Sequence, residues 1–290
     1  MKQFLLIIIV GFIFCSCTTS FIIIEDNLII KNSKEALAKL KLISENTNRP
    51  ITYEATFGIK FKLIPSGTYK IGSPEAEPGR QKKERPHLVT ITKSFYISAT
   101  EITQEQWSKI YLENPSKFKG LKLPVDHVTY GDSVKYCRRL SKHQELPFRL
   151  PTESEWEIAC RGGSSNSFSG TGKIADMGWY NKNSNKSTHT VAQKKPNTFG
   201  LYDMHGNVWE WCSDISGEYN GYHLIDPKGA KNQSGNHVRR GGSYQTSSTI
   251  CRSAYRNLYA PLVYRHRNTG FRIAIYADQI PRTAIKTKNK

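Results

Sequence analysis

Apolar residues alternate with polar ones in several short runs, which is the two-residue period of a β-strand. Residues 61–72 hold two such runs around a Pro-Ser-Gly turn, a pattern that predicts a β-hairpin. Residues 87–98 alternate in the same way and predict another strand. Beyond residue 164, regular periodicity is lost apart from brief β runs at 208–211, 237–239 and 271–276.

Other segments carry the signals of helices. Apolar residues recur at helical spacing in two of them, 33–45 and 131–143. Thr103 with Gln106, and Thr152 with Glu155, form capping boxes that satisfy free amides where a helix begins. Gly162 ends the helix that Thr152 begins. A few helices, short strands and long irregular segments together indicate an α+β domain.

The first seventeen residues have the pattern of an export signal. A charged start precedes an apolar run from Phe4 to Phe14 that is too short for a permanent membrane span. Cys17 follows a small residue and resembles the lipidated cysteine of a bacterial lipobox, with an uncleaved anchor as the alternative. We expect four segments: a signal peptide at 1–17, a tether with a short helix at 18–56, a domain at 57–276 and a basic tail at 277–290.

The chain is strongly basic. Its 42 Lys and Arg against 24 Asp and Glu give a formal net charge of +18. An exported protein tethered to a membrane rarely meets nucleic acid, so we expect no nucleic-acid partner. The charge favours anionic lipid or polyanionic surface glycans, and a solvated basic surface explains it equally well. The expected location is the bacterial cell envelope, with a lipid anchor and the domain facing the periplasm or the cell surface.

Four cysteines remain once Cys15 and Cys17 are assigned to the signal: Cys137, Cys160, Cys212 and Cys251. An even number in an exported chain permits disulfides, and three pairings are possible. The chain has no Cys-x-x-Cys, which argues against a thioredoxin-like or zinc-ribbon site.

Six ordered motifs resemble the sulfatase-modifying-factor domain, the domain of formylglycine-generating enzymes, over residues 57–275. They are Pro65-Ser-Gly-Thr, Glu101-Ile-Thr-Gln, Leu150-Pro-Thr-Glu-Ser-Glu-Trp-Glu, Phe199-Gly-Leu-Tyr-Asp-Met-His-Gly-Asn-Val-Trp-Glu-Trp, Arg240-Gly-Gly-Ser-Tyr and Gly270-Phe-Arg. The resemblance implies a C-type lectin-like fold with a small antiparallel sheet, two to three helices and extensive irregular loops.

The resemblance also implies a calcium loop. In it the Asp203 side chain, the backbone carbonyls of Gly206 and Val208, and the Glu210 carboxylate surround the ion. Such an all-oxygen set suits a hard cation. The alternative is that Asp203 caps the turn while Glu210 pairs with a neighbouring arginine.

In the oxidase members of this family two cysteine thiolates hold a copper ion, and oxygen is activated beside a substrate cysteine. Cys251 matches the second thiolate and Ser243 matches a serine near the reaction centre, so these two are the candidate catalytic residues. Thr246 stands at the position of the first cysteine. A hydroxyl is too hard and too weakly basic to replace a thiolate on Cu(I).

Many family members outside the oxidase group carry both the Trp-Glu-Trp-Cys end and the Cys-Arg-Ser-Ala-Tyr-Arg run. The resemblance therefore implies a disulfide between Cys212 and Cys251, with a relocated thiolate pair for copper as the alternative. Five arginines also gather in the last third, where they either line a groove for an anionic ligand or tie loops together: Arg252, Arg256, Arg265, Arg267 and Arg272.

These expectations favour an envelope lipoprotein with a non-catalytic binding or accessory role toward a protein or glycan partner. The alternative is a copper-dependent oxidase that converts a sulfatase cysteine to formylglycine.

Overall fold

The computed structural model describes residues 29–219, 221–229, 235–261 and 263–282. The predicted signal peptide, the lipidation site at Cys17 and most of the basic tail lie outside these residues. No helix within the described ranges combines the length and apolarity that a membrane span needs.

Five helices occur in the described residues: α1 (Ser33–Thr47), α2 (Gln104–Ser108), α3 (Tyr130–Gln144), α4 (Glu153–Arg161) and α5 (Ile174–Met177). Capping boxes begin α2 at Thr103 and α4 at Thr152, as the sequence predicts. A third capping box begins α3 at Thr129, where Asp132 takes the role that Glu or Gln more often has. Gly162 ends α4 in the left-handed conformation, with φ 54°.

The strands of the described residues form three four-stranded sheets. The strands are β1 (Ile29–Ile30), β2 (Thr52–Glu54), β3 (Lys60–Ile64), β4 (Gly67–Ile71), β5 (His87–Ile91), β6 (Phe95–Ser98), β7 (Trp209–Ile215), β8 (Leu224–Ile225), β9 (Asn236–Arg240), β10 (Asn257–Pro261), β11 (Thr269–Gly270) and β12 (Ala274–Tyr276). The first sheet has the order β1-β4-β5-β8, the second β12-β6-β3-β2 and the third β10-β9-β7-β11. Small sheets, few helices and long loops confirm the α+β class.

The predicted hairpin over residues 61–72 is wrong. β3 pairs with β2 and β6, whereas β4 pairs with β1 and β5, so the turn at Pro65 carries the chain from one sheet to another. The single strand predicted over 87–98 is likewise two strands in two sheets, β5 and β6. Alternation of apolar residues gives the period of a strand but does not specify its partner.

The described part of the expected tether packs against the domain. β1 pairs in parallel with β4, and Leu40 and Ile43 of α1 lie in the hydrophobic core. A Cβ atom at Gly163 would lie 2.6 Å from the carbonyl oxygen of Asn32, so the loop after α4 closely approaches the start of α1.

Buried ion pairs hold the long loops of the last third. Arg240 pairs with Glu157 and lies 3.2 Å from Glu153, and Arg256 donates to Glu153 at 2.6 and 2.7 Å. Arg252 binds the carboxylates of two residues near the start of the domain, Glu77 and Glu84. Of the five arginines gathered in the last third, Arg252 and Arg256 therefore tie loops together and do not line an open groove.

The arginine partners of Glu157 keep its carboxyl group ionised. Burial by itself raises the pKa of this carboxyl, but Arg240 and Arg161 outweigh burial and lower the pKa to about 2. The carboxylate is therefore ionised across the physiological range and pairs with both guanidinium groups.

Candidate functional site

Thr246 lies directly beside Cys251. The loop that follows β9 brings the Thr246 hydroxyl oxygen to 3.2 Å from the Cys251 sulfur. The same hydroxyl accepts a hydrogen bond from the Ser243 amide and donates one to the Ser243 carbonyl, each at 2.9 Å. The threonine therefore occupies the position expected of the missing cysteine, and its oxygen is engaged by its own loop.

A glycine permits this arrangement. Gly242 has φ 76°, and a Cβ atom there would lie 2.6 Å from the Cys251 sulfur and 2.9 Å from the Thr246 hydroxyl oxygen. The backbone at position 242 thus packs directly against both side chains, which explains why the turn after β9 needs glycine.

Cys251 is in an environment that suppresses its reactivity. Its side chain is fully buried, and burial raises the pKa of the thiol to about 11 although hydrogen bonds with Thr246 and the Ser243 backbone lower it. Because the thiolate is the nucleophile, a thiol that is protonated at neutral pH is poor in that role.

Ser243 is present but lacks direct contact with a base. Its hydroxyl accepts hydrogen bonds from the Gln245 amide at 3.3 Å and from the Asn268 side chain at 3.2 Å. His266 bonds Asn268 at 2.6 Å and so reaches the serine only through that amide. The described partners of Ser243 orient its oxygen but do not activate it.

The disulfide expected between Cys212 and Cys251 is not formed. Both are free, buried thiols in the structure. Cys212 lies on β7 within the hydrophobic core, whereas Cys251 ends a short 3-10 helix and packs against Gly242 and Thr246. Burial raises the pKa of Cys212 well above its usual value, so this thiol behaves as an apolar core group.

Three residues of the expected calcium loop adopt the left-handed backbone conformation. Asp203, Gly206 and Asn207 have positive φ values of 56°, 99° and 54°. One Asp203 oxygen accepts the Ala192 amide at 2.7 Å, and the other is buried without a hydrogen-bond partner. A buried carboxylate oxygen without a partner is costly unless a cation or a proton meets it.

Glu210 already has strong partners. Arg272 donates to its two oxygens at 2.5 and 2.7 Å, and the Trp156 indole donates at 2.6 Å. The arginine partner that was the alternative to calcium at this carboxylate is therefore present.

Glu101 is a third acidic residue at this loop that sequence analysis missed. Its oxygens accept the Val208 amide at 3.1 Å and the Asn207 side chain at 3.0 Å. Burial, followed by the nearby Asp203 and Glu210, raises the pKa of Glu101 well above its usual value. Its motif was visible in the sequence, but its contacts are 106 and 107 residues away along the chain.

Buried carboxyl groups outnumber buried basic groups around this loop. Three carboxyl groups face one guanidinium, that of Arg272, and burial raises the pKa of Asp203 to about 6. In the described ranges no three His, Cys, Asp or Glu side chains converge to hold a metal by themselves. A calcium ion would therefore depend on the free oxygen of Asp203 together with the carbonyls of Gly206 and Val208.

Two of the cavities on the described part of the domain lie away from Cys251. One of about 460 Å³ lies beside α2 and is lined by both polar and apolar residues, such as Lys109 and Phe57. The other, of about 410 Å³, lies between β1, β4 and the loop after α4. Neither is lined by Ser243, Thr246 or Cys251.

The fold is that of a sulfatase-modifying-factor domain. Residues 56–277 match the family described as "Sulfatase-modifying factor enzyme 1-like domain", and the chain belongs to this family.

Its relatives have different names. The formylglycine-generating enzyme of Mus musculus is 36% identical over 77% of this chain and 76% of its own length. The "Chaperone protein LppX" of Paenibacillus barcinonensis is 31% identical, but the match covers 41% of this chain and 61% of that protein, less than two thirds. The formylglycine-generating enzyme of Bos taurus is 35% identical over 55% of this chain and 45% of its own length.

Solved structures share the fold. "Treponema denticola variable protein 1" superposes with a TM-score of 0.73 at 30% identity, over 78% of this chain and 99% of that one. PvdO from Pseudomonas aeruginosa gives a TM-score of 0.71 at 28% identity, over 78% and 97% of the two chains.

Proposed function

We propose that this chain is a non-catalytic binding or accessory member of its family, held at the bacterial cell envelope by a lipid on Cys17. The observation that carries the proposal is the hydroxyl of Thr246 beside the sulfur of Cys251. Cu(I) prefers soft sulfur ligands, so replacing one of two thiolates by a hydroxyl removes half of the coordination that the oxidase chemistry uses.

The state of the remaining thiol supports the same conclusion. A lone, buried Cys251 with a raised pKa offers copper one sulfur at most and is not an accessible nucleophile. Ser243 is held by amide groups, so it does not replace the missing chemistry.

Without this chemistry, we infer that the domain acts by binding a partner. One relative carries the name "Chaperone protein LppX", which supports an accessory function among proteins of this family. We propose a protein or glycan partner at the envelope, attracted in part by the net charge of +18.

We further propose that calcium organises the loop around Asp203. The free, buried oxygen of Asp203 and the excess of carboxyl groups fit a hard cation. The carbonyls of Gly206 and Val208 and the Glu210 carboxylate complete the expected ligand set, although Glu210 is shared with Arg272. Bound there, calcium supplies structural order to an otherwise irregular segment.

The second candidate function is the copper-dependent oxidase that converts a sulfatase cysteine to formylglycine. The 36% identity with the mouse enzyme over 76% of its length favours it, as do the retained Cys251 and Ser243.

A peptide assay separates the two functions. The full chain, supplied with Cu(I), oxygen and a reductant, is incubated with a cysteine peptide taken from a sulfatase, and the product is read by mass spectrometry. We expect the peptide to remain unmodified. Conversion of its cysteine to an aldehyde at a rate that depends on Cys251 would establish the oxidase instead.

A further inference from the structure

The cavity between β1, β4 and the loop after α4 has an apolar interior. Its volume is about 410 Å³, within the range of small-molecule sites. Buried Ile30, Tyr69 and Ile158 form its walls, and half-buried Leu88 of β5 lies at its edge. It shares no lining residue with the loop of Cys251 or with the loop of Asp203.

Two buried polar side chains in the wall, those of Tyr69 and Arg161, already have partners. The Tyr69 hydroxyl donates to the Pro65 carbonyl at 2.6 Å. The Arg161 guanidinium donates to Glu157 at 2.8 Å and to the Gly72 carbonyl at 2.7 Å. These groups serve the fold, so the interior favours a hydrocarbon over a polar ligand.

The rim of the cavity is basic. Lys31 and Lys70 line it with exposed side chains, and no aspartate or glutamate is among the lining residues. The nearby Glu35 carboxylate is engaged by the Lys31 amide and by the Asn32 side chain at the start of α1. An apolar interior below two lysines is complementary to a molecule with a hydrocarbon tail and a negative head.

We propose that this cavity binds a long-chain fatty acid, with its tail against Ile30, Tyr69 and Ile158 and its carboxylate between Lys31 and Lys70. The volume supports one chain. A water molecule takes about 30 Å³ of liquid and a methylene group is of similar size, so the cavity holds roughly a dozen carbons.

The test is displacement of a small fluorescent apolar anion, 1-anilinonaphthalene-8-sulfonate, from the full chain by tetradecanoic acid and by uncharged tetradecanol. The variant Lys31→Glu/Lys70→Glu should weaken the acid about tenfold and leave the alcohol within about twofold. Leu88→Trp, which fills the edge of the cavity, should weaken both ligands about tenfold. Lys60→Glu, an exposed lysine of β3 outside the cavity, is the matched control and should change neither.

Several results would overturn the proposal. They are absence of displacement from the wild-type chain, equal loss of acid and alcohol in the double lysine variant, and an equal effect of Lys60→Glu. The lysine variants change exposed side chains, so they decide the matter even when Leu88→Trp fails to fold.

Two further experiments identify where the hydrocarbon chain in the cavity comes from. Vesicles of anionic phospholipid that displace the probe better than tetradecanoic acid would overturn the assignment to a free fatty acid. The assignment would also be overturned if a Cys17→Ser chain bound the probe and the lipidated wild type did not. In that case the acyl chain of the protein itself would occupy the cavity. We expect both chains to bind with the same affinity.

Discussion

The hydroxyl oxygen of Thr246 lies 3.2 Å from the sulfur of Cys251. The loop after β9 therefore places one sulfur and one oxygen side by side, at Cys251 and at the position where a second cysteine was expected. Because the two side chains are already adjacent, a single substitution at Thr246 tests whether a second sulfur there is enough to bind copper.

Thr246→Cys should create a Cu(I) site. Two adjacent thiols provide the pair of soft ligands that Cu(I) prefers. We expect the affinity for Cu(I) to rise by at least about 10 to 100-fold, because removing a residue that only supports a metal ligand already costs affinity in that range. Competition with a chromogenic Cu(I) chelator under reducing conditions measures the gain.

Thr246→Ser is the matched control for that experiment. It keeps a hydroxyl that can serve the Ser243 backbone and adds no sulfur. We expect its affinity to match the wild type. An unchanged Thr246→Cys chain would show that the loop cannot present two sulfurs to one metal.

Arg240→Leu should strongly destabilise the fold. The change leaves the buried Glu157 without one of its guanidinium partners, and breaking a buried pair in this way typically costs about 3 to 5 kcal/mol. Urea denaturation measures the free energy of unfolding. Lys93→Met removes the exposed pair with Asp278 and should change stability far less, so equal losses in the two variants would contradict this account.

His205 should make the free energy of unfolding depend on pH between about 4 and 6.5. Burial lowers the pKa of this histidine from 6.5 to about 4, although a bond with the Cys251 carbonyl raises it. The unfolded chain therefore takes up the proton first, so the stability contributed by neutral His205 is complete above pH 6.5 and is lost as pH falls.

The variant His205→Gln isolates this contribution. Carboxyl groups with raised pKa values, such as Asp203, titrate in the same range, and their effect on stability has the opposite sign. They are present in both proteins, so they cancel in the comparison. We expect the difference in unfolding free energy between wild type and variant to shrink by on the order of 3 kcal/mol from pH 7 to pH 4. A constant difference would mean that His205 does not titrate in this window.

Calcium should raise the melting temperature of the full chain more at pH 7.5 than at pH 5. Burial raises the pKa of Asp203 to about 6, so at the lower pH the ion must displace a proton. A site filled at a hundred times its Kd adds about 2.7 kcal/mol of stability. The effect should vanish in Asp203→Ala, and magnesium should not reproduce it. A chain that melts alike with and without calcium would leave the Glu210–Arg272 pair as the organiser of this loop.

Local features of the fold were predictable from the sequence, and long-range partners were not. The capping boxes at Thr103 and Thr152 depend on residues three positions apart and are correct. The partners of β3 and β4 depend on residues far along the chain, so alternation alone suggested a hairpin that does not exist.

The same contrast holds at the candidate site. Thr246 stands five positions from Cys251, and their proximity followed from a family pattern within one loop. Glu101 was missed because it meets Asn207 and Val208 only in the folded chain. The expected disulfide rested on two residues of separate elements, and the structure gives them separate environments.

The number of sulfur atoms bound to copper in the wild-type chain tests the central claim most directly. The purified full chain is titrated with Cu(I) under reducing conditions and studied by X-ray absorption at the copper edge. We predict weak binding with at most one sulfur from the protein on the metal. One tightly held copper per chain with two protein sulfurs would contradict the account and restore the oxidase.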